Sequence, residues 1–193
     1  MRTALRSGAR PAALVALCVL ALLFAGVASA QDDEATAYDR TGWQVGGGFL
    51  AAFPDLDSGA SFDTAYGLDL RAAYRMIPNW SLEVQYAWGG TFDSNVQDVS
   101  SHLLTANSKL HILTGRVQPY VLVGIGILRS DLGRLDPKMP GLVYTFGGRA
   151  SAGVDVHVTP HFGVYAEGGY VFSADELRPL RYGTAATGLF WQF

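Results

Sequence analysis

Eight stretches of this chain alternate, residue by residue, between apolar and polar or small side chains, and that period of two narrows the fold more than any other feature. In YGLDLRAAYRM, Tyr66, Leu68, Leu70, Ala72, Tyr74 and Met76 share one face, and Gly67, Asp69, Arg71, Ala73 and Arg75 the other. WSLEVQYAW repeats the pattern, with Trp80, Leu82, Val84, Tyr86 and Trp88 opposite Ser81, Glu83, Gln85 and Ala87. A strand sends successive side chains to opposite faces, so each stretch predicts a β-strand with one apolar and one polar face. Between these two, Ile77–Asn79 reads as a tight turn, because proline fixes φ and asparagine tolerates unusual backbone angles.

Six further stretches read the same way: Trp43–Phe53, Leu103–Ile112, Gln118–Leu128, Tyr144–Val158, Phe162–Phe172 and Tyr182–Phe193. Their connections alternate in length. Short ones fall at Ile77–Asn79, near Leu113–Arg116 and at Thr159–His161; longer polar ones run Pro54–Thr64, Thr91–Ser101, Ser130–Val143 and Ser173–Arg181. Long and short joints taking turns place all the long ones at one end of an antiparallel sheet.

Most stretches match the roughly 9–11 residues that cross a bilayer when tilted. No segment after residue 30 approaches the ~20 apolar residues of a membrane helix. An even number of antiparallel strands with apolar faces outward and polar faces inward, closed so that no edge is left unpaired, is what hydrocarbon permits. Aromatics near the segment ends (Trp43, Phe53, Tyr66, Tyr74, Trp80, Trp88, Phe162, Tyr170, Trp191, Phe193) sit where the two membrane interfaces would lie. The pattern therefore predicts an all-β, eight-stranded antiparallel transmembrane β-barrel over residues 42–193. A soluble lipocalin-like barrel is the rival fold, but it would turn its apolar residues inward.

The first 30 residues agree with export. Arg2, Arg6 and Arg10 precede the apolar run AALVALCVLALLFAGV and a small-residue end, Ala28–Ala30, which together predict a signal peptide cleaved after Ala30. Cys18 does not make a lipoprotein site, since Leu17 precedes it and the apolar run continues beyond. Residues 31–41 are then a short periplasmic segment. The remaining chain has no cysteine, hence no disulfide and no thiolate metal site, and its 11 basic against 17 acidic residues give a net charge of −6, which argues against nucleic acid as a partner.

QPYVLVGIG (Gln118–Gly126), AGVDVHVTPHFGVYAEGGY (Ala152–Tyr170) and the terminal Phe193 resemble the small eight-stranded outer-membrane barrels of the OmpA/OmpX type. The resemblance covers nearly all of Gly42–Phe193 and implies a location in the bacterial outer membrane, surrounded by lipid and lipopolysaccharide. In that family the terminal aromatic strand is read by the barrel-assembly machinery, which implies an assembly signal at Leu189, Trp191 and Phe193. Longer relatives add a peptidoglycan-binding domain; this chain stops at the barrel and is not expected to tether the cell wall that way.

Chemistry is sought first inside. Asp69, Arg71, Arg75, Glu83, Lys109, Arg149, Asp155 and Glu167 all fall on the inward face. An eight-stranded barrel is just wide enough for side chains to fill it, and buried charges must then be paired. These residues are expected to form a structural plug, with Arg71 and Arg75 as diagonal neighbours of Glu83 and with Glu167 across the lumen. The first reading is a monomeric barrel with a structural or surface-interaction role; the alternatives are a narrow ion-conducting pore and, third, a lipid A-modifying enzyme. Deacylases of this architecture use a lipid-facing His-x-Ser pair, whereas Leu103 and Leu104 follow His102, and no other histidine has a serine two residues on. The four scattered histidines offer no metal site, no cofactor motif is present, and Gly124–Gly126 lacks the third glycine of a nucleotide loop. Arg129, Arg134, Lys138, Arg178 and Arg181, interleaved with Asp131, Asp136, Asp175 and Glu176, are candidate contacts to lipopolysaccharide phosphates.

Overall fold

The computed structural model describes residues 35–54, 64–93, 98–131, 142–173 and 181–193. A helical turn, α1 (Ala35–Tyr38), leads into eight strands: β1 (Gly42–Pro54), β2 (Ala65–Ile77), β3 (Trp80–Asp93), β4 (Asp98–His111), β5 (Val117–Asp131), β6 (Leu142–His157), β7 (Phe162–Ser173) and β8 (Tyr182–Gln192). Each strand pairs antiparallel with its neighbours in chain order, and β8 returns to β1, so the sheet closes into a barrel without an edge. Among the described residues no helix is long and apolar enough to cross a membrane.

Several strands run past the bounds read from alternation. Thr91–Asp93 and Asp98–Ser100 continue the β3–β4 ladder, and Ser130–Asp131 pair with Leu142–Val143. Backbone pairing does not require an apolar face, so a ladder can continue where the polar pattern of a loop has already begun. At the other end Ile112, Val158 and Phe193 fall just outside the strands. The expected signal peptide and most of the longer connections lie outside the described residues.

Turn chemistry sets the β2–β3 register. Pro78 and Asn79 close the hairpin, and Ala73 lies opposite Glu83. Asn79 also ties this turn to β4, its side-chain amide donating to the His111 carbonyl at 3.1 Å. Farther along β3 the register slips between Trp88 and Thr91, where Gly90 takes φ 69, a left-handed value that glycine adopts without steric cost.

Register also fixes the barrel's dimensions. A circuit of paired residues from Gln44 through Ala73, Glu83, Asn107, Gly124, Arg149, Val171 and Tyr182 returns to β1 at Pro54, ten residues farther on. A shear of ten over eight strands corresponds to a tilt of about 41° and a wall roughly 8 Å from the axis. With that tilt the eight residues from Trp80 to Trp88 climb roughly 20 Å along the axis. Trp43, Tyr74, Trp80 and Trp191 thus form a ring near the short turns; Phe53, Tyr66, Trp88 and Phe172 form another near the opposite end. Their separation approaches the ~25 Å apolar band of an outer-membrane barrel.

The wall separates side chains cleanly. Leu70, Val84, Val123, Ile125 and Leu189 on the outside are 53–74% exposed, whereas Asp69, Arg75, Gln85, Lys109 and Asp155 on the inside are at most 1% exposed. This is the reverse of a soluble barrel, and it removes the lipocalin-like rival.

Candidate functional site

The interior of the barrel is a charged column with an apolar lid. All eight inward charges expected from the sequence are buried there: four acids (Asp69, Glu83, Asp155, Glu167) and four bases (Arg71, Arg75, Lys109, Arg149). Alternation along β2, β3, β4, β6 and β7 turns each inward, and the small radius forces residues from non-adjacent strands together.

The middle of the column is organised by Glu167 on β7. It receives Arg71 Nη1 from β2 at 3.2 Å, the Tyr120 hydroxyl from β5 at 2.8 Å, and Arg149 Nη2 from β6. Arg71 also spans Asp69, with Nε to Oδ1 at 3.2 Å and Nη2 to Oδ2 at 2.7 Å, while its guanidinium carbon lies 3.8 Å from the Tyr165 ring centroid. Gln85 completes the circuit, donating to Asp69 at 2.5 Å and accepting from Arg149. Guanidinium planes suit such bridging because their donors fan out in a fixed fork.

A second cluster lies toward the short-turn end. Lys109 pairs with Asp155 at 2.7 Å, and its ammonium lies 3.8 Å from the Tyr120 ring centroid. His111 Nε2 approaches Asp155 at 3.3 Å and Arg75 at 3.0 Å, and Arg75 donates to Gln118 at 2.6 Å. The N-terminal segment caps this cluster. The Tyr38 carbonyl accepts from Gln118 at 3.2 Å and Arg75 at 3.4 Å, the Arg40 carbonyl accepts from Gln192 at 2.6 Å, and the Tyr38 ring tilts against His157 with centroids 5.6 Å apart.

The pairing expected around Glu83 differs. Glu83 does sit opposite Ala73, but Arg71 turns to Asp69 and Glu167, and Arg75 turns down to Gln118 and His111. Glu83 is left with Asn107 at 3.3 Å, and its Oε2 has no hydrogen-bond partner. Diagonal neighbours lie within reach, yet in so narrow a lumen the opposite wall competes on equal terms, and Glu167 with Tyr120 offers the better-satisfied site.

Sequence reasoning missed the apolar lid and the cap. Toward the long-connection end, Leu50, Ala52, Ala65, Leu103, Leu128, Val171 and Tyr182 fill the lumen, each at most 3% exposed. Leu50 and Leu128 at inward positions were the available signal; the cap lies in a segment with no pattern to read.

The remaining candidates lie outside the wall. Leu189, Trp191 and Phe193 are 53%, 47% and 63% exposed on the outer face of β8 or just past it, and the Phe193 amide donates to the Trp43 carbonyl at 2.9 Å. Arg129 and Arg181 are exposed on the outer wall; Arg134, Lys138 and Arg178 lie outside the described residues. His102 faces outward with the Tyr86 hydroxyl 2.8 Å from Nδ1. Among the described residues, no group of three His, Cys, Asp or Glu is placed to hold a metal ion.

The barrel fold is shared with solved outer-membrane proteins. Neisserial surface protein A superposes with a TM-score of 0.62 at 20% identity, covering 79% of this chain and 98% of that one. Ail, the attachment invasion locus protein of Yersinia pestis, in complex with the heparin analogue sucrose octasulfate, gives 0.59 at 19% identity over 80% and 100%. OprG of Pseudomonas aeruginosa gives 0.55 at 16% over 81% and 97%. At these identities the likeness is one of fold, and no curated protein matches the sequence itself. The family model described as "Outer membrane protein beta-barrel domain" matches residues 18–193, and the chain therefore belongs to that family of bacterial outer-membrane β-barrels.

Proposed function

We propose that this protein is a closed outer-membrane scaffold: it spans the membrane, holds its lumen shut, and presents its longer connections at the cell surface without catalysing a reaction. The observation that carries the reading is the balanced set of four buried acids and four buried bases beneath an apolar layer. An ion crossing the lumen would have to displace paired side chains and then pass the leucine-lined layer, where only uncharged hydroxyls such as those of Ser101 and Ser130 face inward. Hydrophobic constrictions of that kind block conduction by excluding water. On this reading the partners are outer-membrane lipid, lipopolysaccharide and the barrel-assembly machinery, which would read Leu189, Trp191 and Phe193 during insertion, after cleavage of the leader at Ala30. A surface-contact role is supported by Arg129 and Arg181, which stand exposed on the outer wall toward the long connections.

Planar-bilayer recording of the purified, refolded protein tests the reading. The native barrel should give only rare, brief openings, and Leu103→Ser with Leu128→Ser should lengthen them by wetting the lid. Large, steady conductance from the native protein would overturn the closed scaffold and establish a pore.

A further inference from the structure

The outer wall carries a second pattern, independent of the lumen. Among the outward strand positions whose side chains are described, all are apolar, small, aromatic or hydroxyl-bearing except two basic ones, His102 on β4 and Arg129 on β5. Those two are not scattered. They are direct Cα partners in the β4–β5 ladder, continued by Trp88 on β3, opposite His102, and by Tyr144 on β6, opposite Arg129.

Their height is set by the register. The row rises about 3 Å per strand from β3 toward β6, because the circuit returns to β1 nearer the long-connection end. Trp88 stands roughly 20 Å above Trp80, so Arg129, two strands on, stands roughly 26 Å above it. That is the upper edge of a ~25 Å hydrocarbon band, where lipid phosphates lie. Long connections mark this end as the external one, so the leaflet is the outer one.

The imidazole is also held in place. The Tyr86 hydroxyl lies 2.8 Å from His102 Nδ1, and the two rings stack with centroids 6.1 Å apart and planes 29° apart. Anchoring Nδ1 leaves Nε2 to meet a ligand, and the paired position on β5 carries Arg129, whose guanidinium fork suits two phosphate oxygens. An isolated interfacial arginine needs no ligand, since its head can reach the headgroup layer alone. A fixed histidine paired with it, on a wall whose other described outward strand side chains are uncharged, offers a second point of contact to an anion.

We infer that His102 and Arg129 form a phosphate-binding site for the glycolipid of the outer leaflet, with Trp88 and Tyr144 flanking the sugar-bearing headgroup. The occupant is the phosphorylated lipid A part of lipopolysaccharide. The site is on the outside of the wall, so its failure and that of the closed-lumen reading are separate events.

The test is retention of lipid A by the refolded full barrel in detergent, read by native mass spectrometry, with the gel mobility of the folded form confirming that each variant is folded. Lipid A carrying both phosphates should be retained. Arg129→Gln should weaken retention roughly ten- to a hundredfold, the loss expected for charge-assisted hydrogen bonds. His102→Gln should weaken it less, and Arg129→Lys should fall between native and Arg129→Gln, because it keeps the charge and loses the fork. Three results would each overturn the proposal: equal retention of lipid A stripped of phosphate, equal retention of phosphatidylglycerol, or displacement of the lipid by millimolar inorganic phosphate.

Discussion

Replacing Glu167 by glutamine keeps the side chain's shape and removes the charge on which Arg71, Arg149 and Tyr120 converge. The native lumen balances four acids against four bases; Glu167→Gln leaves four bases facing three acids, at a side chain only 1% exposed. The amide also turns a donor toward groups that themselves donate. Orphaning a buried charge in this way costs about 3–5 kcal/mol, roughly two to four orders of magnitude in the folding equilibrium. The contrast is Glu83→Gln. Glu83→Gln changes the net charge equally but breaks no ion pair: Glu83 has Asn107 as its hydrogen-bond partner and one unpartnered oxygen, so the substitution should cost about 1 kcal/mol or less. Urea titrations of folding into lipid vesicles, scored by the mobility shift of the folded barrel, measure both. Combining Glu167→Gln with Arg149→Met restores the balance of charge, and the pair should recover about 1–3 kcal/mol relative to the sum of the single changes. Equal costs at the two glutamates, or strict additivity in the double variant, would refute the assignment of Glu167 as the centre of the network.

Val84, 55% exposed and about 10 Å above the Trp80 ring, should cost roughly 2–4 kcal/mol when replaced by arginine, whereas Gln85→Arg acts through lumen packing and charge; an indifferent Val84→Arg in vesicle titrations would mean the outer face is misassigned. Gln118→Ala removes the bridge from Arg75 to the Tyr38 and Gly115 carbonyls, and should cost about 2 kcal/mol and raise amide hydrogen exchange in residues 38–41; unchanged exchange there would show that the cap is held by other contacts. Gly153→Ala places a Cβ 2.6 Å from the Tyr120 hydroxyl, so it should cost roughly 1–3 kcal/mol and lessen the penalty of a subsequent Tyr120→Phe; full additivity of the two would refute that contact.

Strand existence and facing were legible because both follow from a local rule. Period-two alternation assigns Leu82, Val84 and Tyr86 to one side and Ser81, Glu83 and Gln85 to the other, without knowledge of what each side meets. The turn about Pro78 fixed Glu83 opposite Ala73 for the same reason. Partners across the lumen were not legible. Arg71 meets Glu167, 96 residues away, because the shear brings β2 and β7 to compatible heights, and shear is a sum over eight registers, several set by long connections with no readable turn. Strand ends blurred where pairing outlasts patterning, as at Asp93–Asp98. Residues 38–40 act through backbone carbonyls, and a carbonyl acceptor leaves no mark on the side-chain sequence.

The lid and the charged column also depend on each other. Backbone ladders join only neighbouring strands, whereas Arg71–Glu167, Arg149–Gln85, Lys109–Asp155 and Arg75–Gln118 join β2 to β7, β6 to β3, β4 to β6 and β2 to β5. They are struts across a tube that pairing alone would leave free to flatten. Their strength depends on dryness, because the same contacts weaken severalfold when water raises the effective dielectric. On the closed-scaffold reading proposed above, the layer of Leu103, Leu128, Val171 and Tyr182 keeps water from one end, and the Tyr38–Arg40 backbone caps the other. Dry ends make the ion pairs strong, and strong cross-lumen pairs hold the wall close enough for the ends to stay packed. A change in the lid should therefore be felt by Arg149 and Glu167 without touching them, through the dielectric they share.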